Sequence, residues 1–112
     1  MNQKYEQQLK KGVLEMLVLK LLMHEEKYGY QLINELGKYS NGMFSLKEGT
    51  LYPILYRLED DGLVVSRWSE PKGKEVSRKY YSISDTGRQT LSELKELWSN
   101  FSENVTSIME EV

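Results

Sequence analysis

The side chains with most to offer chemically crowd one stretch, GTLYPILYR at residues 49–57. It holds one alcohol (Thr50), two phenols (Tyr52 and Tyr56), one guanidinium (Arg57) and a ring that lacks an N–H (Pro53). Hydroxyls bond phosphate oxygens and base edges, a guanidinium pairs with phosphate or guanine, and apolar patches meet thymine methyls. A bond-breaking site is much harder to build from this chain. There is no cysteine, and His24 is the only histidine. No glycine-rich phosphate loop and no metal-ligand spacing is present. The acidic run Glu59-Asp60-Asp61 is consecutive, so on a helix its carboxylates point in different directions and make a poor general acid/base pair. The chain is therefore expected not to be an enzyme and to need no cofactor or metal.

The net charge of −2 argues against a nucleic-acid partner only while it is treated as one number. Residues 63–79 carry Arg67, Lys72, Lys74, Arg78 and Lys79 against Glu70 and Glu75, whereas residues 80–112 are acidic. The positive charge is thus gathered in one short segment.

The elements that must hold these groups follow from periodicity. Leu51, Ile54, Leu55 and Leu58 recur at helical spacing, so residues around 46–61 form a helix with one buried stripe. On a wheel of ~100° per residue, Gly49, Thr50, Tyr52, Pro53, Tyr56 and Arg57 cover much of the opposite arc. Its start has two readings. Ser45 and Glu48 form a capping-box pattern, which leaves Pro53 inside the helix with a local bend; alternatively Thr50 caps, and Pro53 falls in the first turn. The first is preferred. Gly62 should end it.

Upstream, VLEMLVLKLLMHEE (13–26) is apolar almost all round, which predicts a helix buried on more than one side. In a chain of 112 residues this points to a partner subunit, with Leu14, Leu17 and Leu21 as its contacts. YGYQLINELGKYS gives a second helix ended by Gly37 or by Ser40-Asn41-Gly42. LVVSRWS (63–69) and RKYYSIS (78–84) favour strands, and the loop between them holds Pro71 and Gly73. Strand alternation places Arg78, Tyr80 and Ser82 on one face and Lys79, Tyr81 and Ile83 on the other. Beyond Ser84 or Asp85 as cap, Leu91, Leu94, Trp98, Phe101, Val105, Ile108 and Val112 alternate at spacings of three and four, a heptad seam. That helix of about 27 residues is about 40 Å long and outgrows so small a core unless another chain covers it. Helix, helix, helix, strand, strand, helix is the order of a winged helix-turn-helix with a C-terminal extension.

Each candidate has a plain structural reading beside the functional one. Tyr52 and Tyr56 can pack beneath the hairpin, and the basic loop can be a solvated turn. Trp98 can be helix-seam core, or it can flank a cavity for a flat aromatic ligand with Leu94 and Phe101. A winged helix used only for protein–protein contact, without DNA, is the alternative to a nucleic-acid role.

With these residues in view, the chain resembles the PadR family of transcriptional regulators. The likeness runs through KGVLEMLVLKLL, YGYQL, EGTLYPILYRLEDDGLV, RKYYSIS and DTGRQTL. The size resembles that of the smaller, multidrug-binding members. The resemblance implies a mainly α fold with one β-hairpin: a winged helix-turn-helix over residues 1–83 and a C-terminal dimerisation helix over 84–112. It implies a homodimer that represses transcription at an inverted repeat in promoter DNA. DNA contact falls on Thr50, Tyr52 and Pro53, with Tyr56 and Arg57 nearby, and in the wing on Lys72, Lys74, Arg78 and Lys79. Dimerisation falls on Leu91, Leu94, Trp98, Phe101, Val105 and Ile108. Trp98 is the residue implied to stack on a planar aromatic effector. With no signal sequence and no membrane span, the expected compartment is the cytoplasm.

Overall fold

The computed structural model describes residues 3–112, so the first two residues of the expected 1–83 unit lie outside it. The helices are α1 (Gln3–Lys11), α2 (Leu14–Leu21), α3 (Gly29–Tyr39), α4 (Glu48–Asp60) and α5 (Asp85–Glu111); the strands are β1 (Lys27–Tyr28), β2 (Val64–Trp68) and β3 (Lys79–Ile83). The sheet is antiparallel with order β1-β3-β2.

The core joins Val18, Leu19 and Leu22 to Leu32, Leu36, the α4 stripe of Leu51, Ile54, Leu55 and Leu58, and the sheet's Val64, Tyr81 and Ile83. It is the three-helix body with a hairpin folded over one end. The strand alternation holds: Tyr81 and Ile83 are buried while Tyr80 and Ser82 are only partly covered. Their cross-strand partners are Ser66 for Tyr81 and Arg67 for Tyr80.

Three departures from expectation have local causes. The long apolar block forms only the eight-residue α2, and His24 lies beyond its end, exposed. The chain there turns into β1, whose pairing with β3 satisfies backbone that a longer helix would have used. Helix α1 was not foreseen because it buries nothing; a Glu6–Lys10 pair at 2.7 Å and Lys10 over the Phe44 ring support it. Neither Ser45 nor Thr50 caps α4. The helix begins at Glu48 after Lys47, and Ser45 Oγ instead donates to the Gly42 carbonyl at 2.9 Å. Pro53 stands inside this helix, in its second turn and on the exposed side, so the missing bond falls where water replaces it.

The α4 end is as expected. Gly62 has φ +74°, its N–H donates to Glu59 O at 3.0 Å, and Leu63 N–H donates to Leu58 O at 2.8 Å, a Schellman turn. Leu63 O then accepts from Ser84 N–H at 3.0 Å, and Ser84 Oγ caps α5 through Gly87 N–H at 3.0 Å. This links the end of α4, the start of β2 and the start of α5. Helix α5 runs 27 residues. Its first half packs on α2 and the rest projects, which gives the chain its 62 Å long axis.

Candidate nucleic-acid interface

Helix α4 presents its N-terminal half outward. The connector from α3 fixes that start: Ser40 Oγ donates to Leu36 O and accepts from Phe44 N–H at 2.8 Å, while Asn41 and Gly42 both take positive φ. Burying the leucine stripe leaves Glu48, Gly49, Thr50, Pro53, Tyr56 and Arg57 exposed. Thr50, Pro53 and Tyr56 stand together on the outer side, one or two turns from the positive end of the helix dipole. Lys47 sits at that end, exposed. Sequence reasoning passed over it because a start at Ser45 would have placed it within the first turn.

Two residues expected to contact DNA are engaged within the chain. Tyr52 is half-buried against α3: a Cβ on Gly29 would lie 2.4 Å from its hydroxyl. Glycine at 29 is thus what lets the ring seat, and Tyr52 braces α4 on α3 rather than standing free. Its ring leans on Tyr56 at 6.1 Å. Lys79 turns to the core side of the hairpin, 5.7 Å over the Tyr56 ring, 5.4 Å over Tyr81 and 3.9 Å from a Glu59 carboxylate oxygen. Glu59 also accepts a hydrogen bond from Ser66 Oγ, so it ties α4 to the hairpin. Tyr81 lies under this group with its hydroxyl buried and no partner among the described residues. Burial, with Tyr56, Glu59 and Tyr52 close by, pushes its phenol up to about 12.

The opposite hairpin face is a second aromatic and basic layer. Tyr28 and Tyr80 meet edge to face at 5.5 Å, Arg67 lies 5.0 Å over Tyr80, and Arg78 lies 4.6 Å over Tyr28. Glu26 grips Arg67 with both oxygens, one at 2.9 Å from Nε. That hydrogen bond lowers the Glu26 pKa and raises that of Arg67. Arg57 makes one comparable contact, Nε to Glu15 Oε1 of α2 at 3.2 Å. Lys72 and Lys74, at the exposed tip, make no ion pair among the described residues. The tip is a turn with Gly73 at φ +62° and Glu75 N–H on Lys72 O.

The remaining candidates line α2 and α5. Leu14 and Leu91, expected at a contact between chains, are instead spent on this chain's own core. Leu17, Leu21 and Leu94 are half-buried beside it. Trp98, Phe101, Val105 and Ile108 are exposed, and the Trp98 and Phe101 rings stack at 6.2 Å.

Helix, turn and outward helix, with a basic hairpin folded beside them, define a winged helix-turn-helix. Residues 18–93 match the family described as the transcriptional regulator PadR-like family, and the chain belongs to that family. It is a family of transcriptional regulators, in agreement with the expectation that the chain is not an enzyme. Protein X of Lysinibacillus sphaericus is 33% identical over 102 residues, 89% of this chain and 91% of its own length. A PadR-family regulator from Eggerthella lenta superposes with TM-score 0.85 at 34% identity, over 96% of this chain and 91% of that one. Bacillus subtilis PadR, solved with operator DNA, superposes with TM-score 0.66 at 29% identity over 73% of this chain; the match spans 46% of that longer protein.

Proposed function

We propose that the protein is a homodimeric, sequence-specific DNA-binding repressor. The single observation that carries this is the outward face of α4, where Thr50, Pro53 and Tyr56 stand on one side at successive turns, with Thr50 in the first turn at the positive helix end. In the major groove this surface offers a hydroxyl pair for phosphate or base edges and a proline ring for a thymine methyl. Arg57 reaches the flank of the same face. Tyr52 contributes by holding α4 at its angle. Lys72, Lys74 and Arg78 meet phosphate beside the groove, with Lys79 closer to the hairpin base. The solved complex of B. subtilis PadR with operator DNA supports the partner class.

The winged-helix unit over 1–83 binds, and the α5 unit over 84–112 pairs two chains. The exposed row Trp98, Phe101, Val105 and Ile108, extended by Leu94 and flanked by Leu17 and Leu21, is too apolar to stand in water as a monomer surface. A two-fold seam on this row brings Trp98 of both chains to the centre, where a planar aromatic molecule would stack and relieve repression. No described helix is long and apolar enough to cross a membrane, which accords with action on cytoplasmic DNA. A gel shift with the DNA upstream of the protein's own gene tests the reading. A discrete complex that resists random competitor is expected; failure to form one refutes it.

A further inference from the structure

Three cations around α4 and the hairpin are each held by a carboxylate from elsewhere in the chain. Arg57 of α4 is bonded by Glu15 of α2 at 3.2 Å, Arg67 of β2 by Glu26 from the segment before β1, and Lys79 of β3 lies 3.9 Å from Glu59 of α4. The carboxylates come from three different elements, so the pattern is not one helical salt-bridge ladder. The Arg57 and Arg67 pairs lie in water, with more than half of each arginine side chain exposed. Exposed pairs contribute about 0–1 kcal/mol, little enough for a phosphate to exchange with the carboxylate. By contrast Lys72 and Lys74 at the wing tip, Arg78 beside it and Lys47 before α4 make no ion pair among the described residues.

From this geometry we infer that Glu15 and Glu26 are specificity-determining residues that screen Arg57 and Arg67 from random DNA. The inference rests on the DNA-binding reading above. A random duplex, which holds the protein only through loose phosphate contacts, leaves both pairs closed and gains nothing from these arginines. A duplex that seats α4 in its groove brings phosphates to fixed positions and exchanges the carboxylates. The acids therefore depress non-specific binding more than specific binding. Glu59 acts on Lys79 in the same sense, but its bond to Ser66 also ties α4 to the hairpin, so it is a less clean probe.

The test is fluorescence anisotropy with a labelled random duplex and a labelled upstream duplex, from about 50 to 200 mM salt, the range over which phosphate contacts weaken steeply. The proteins are wild type, Glu15→Gln, Glu26→Gln, the double variant, and Glu103→Gln as a control. Glu103 is exposed on α5, and its removal changes net charge equally. On random DNA each released arginine steepens the log–log salt slope by about 0.9, which adds about 3.5-fold to the affinity gained over that fourfold drop in salt. The double variant should steepen about twice as much, the upstream-to-random affinity ratio should fall, and Glu103→Gln should follow wild type. Slopes unchanged in Glu15→Gln and Glu26→Gln overturn the inference alone, as does an equal change in Glu103→Gln, which would reduce it to net charge. A wild-type protein that binds neither duplex overturns both this inference and the reading beneath it.

Discussion

Replacing Gly87 by alanine should loosen the joint between the winged helix and α5. A Cβ at this position would lie 2.1 Å from the Leu63 carbonyl oxygen, 2.8 Å from Ile83 Cγ1 and 3.0 Å from the Leu63 carbonyl carbon. The first contact is with backbone, and that carbonyl is already held by Ser84 N–H at 3.0 Å. Relief therefore requires α5 to back away from the start of β2 or Ser84 to lose its bond. Overpacking costs about 1–3 kcal/mol, a lost hydrogen bond about 1 kcal/mol, and the gain in helix propensity returns about 1 kcal/mol. The net is a loss of about 1–3 kcal/mol, or about 4–12 °C in Tm at roughly 4 °C per kcal/mol for a domain of this size. Thermal unfolding followed by circular dichroism measures it. Gly49→Ala is the control: its Cβ meets nothing within 4 Å, and the variant should be as stable as wild type or slightly more so. A Gly87→Ala protein with unchanged Tm would refute the argument that this glycine is required by close packing. Because α5 carries the proposed seam, a tilted joint should also weaken operator binding more than random binding.

Tyr81 should titrate near pH 12 in the absorbance of phenolate, and Tyr81→Phe should remove that late phase. Its folded pKa is raised, so its contribution to stability is complete below about pH 10 and is lost as pH climbs through about 12; Tyr81→Phe should flatten this alkaline loss. Since the hydroxyl has no partner among the described residues, the same variant should be as stable as wild type at neutral pH. Phe101→Asp should weaken dimerisation by at least about 30-fold in sedimentation equilibrium, as loss of a central aromatic anchor does; an unchanged dimer would place the seam elsewhere. Planar aromatic cations should quench tryptophan emission in wild type and not in Trp98→Phe, and equal quenching in both would remove Trp98 as the ligand contact.

Much of the fold was legible because burial imposes period. The α4 stripe and the hairpin alternation follow from which side chains must leave water, the helix stop from Gly62, and the 27 residues of α5 from the heptad spacing of its apolar row. What was not legible came from contacts distant in sequence. The two-residue β1 has no pattern of its own and exists because β3 offers an edge. α1 buries nothing, so hydrophobic spacing could not reveal it. At the candidate site the wheel located Thr50, Pro53 and Tyr56 on the outer face, but Tyr52 and Lys79 were decided by Gly29 and Glu59, neighbours no wheel contains. The carboxylates on Arg57 and Arg67 were hidden for the same reason: they lie 42 and 41 residues from their partners.

The most direct test of the central claim is a hydroxyl-radical footprint of the upstream DNA with the wild-type protein. Two α4 helices in one dimer should protect two inverted half-sites about one helical turn, ~34–36 Å, apart. Uniform cleavage along the whole fragment at saturating protein would contradict it.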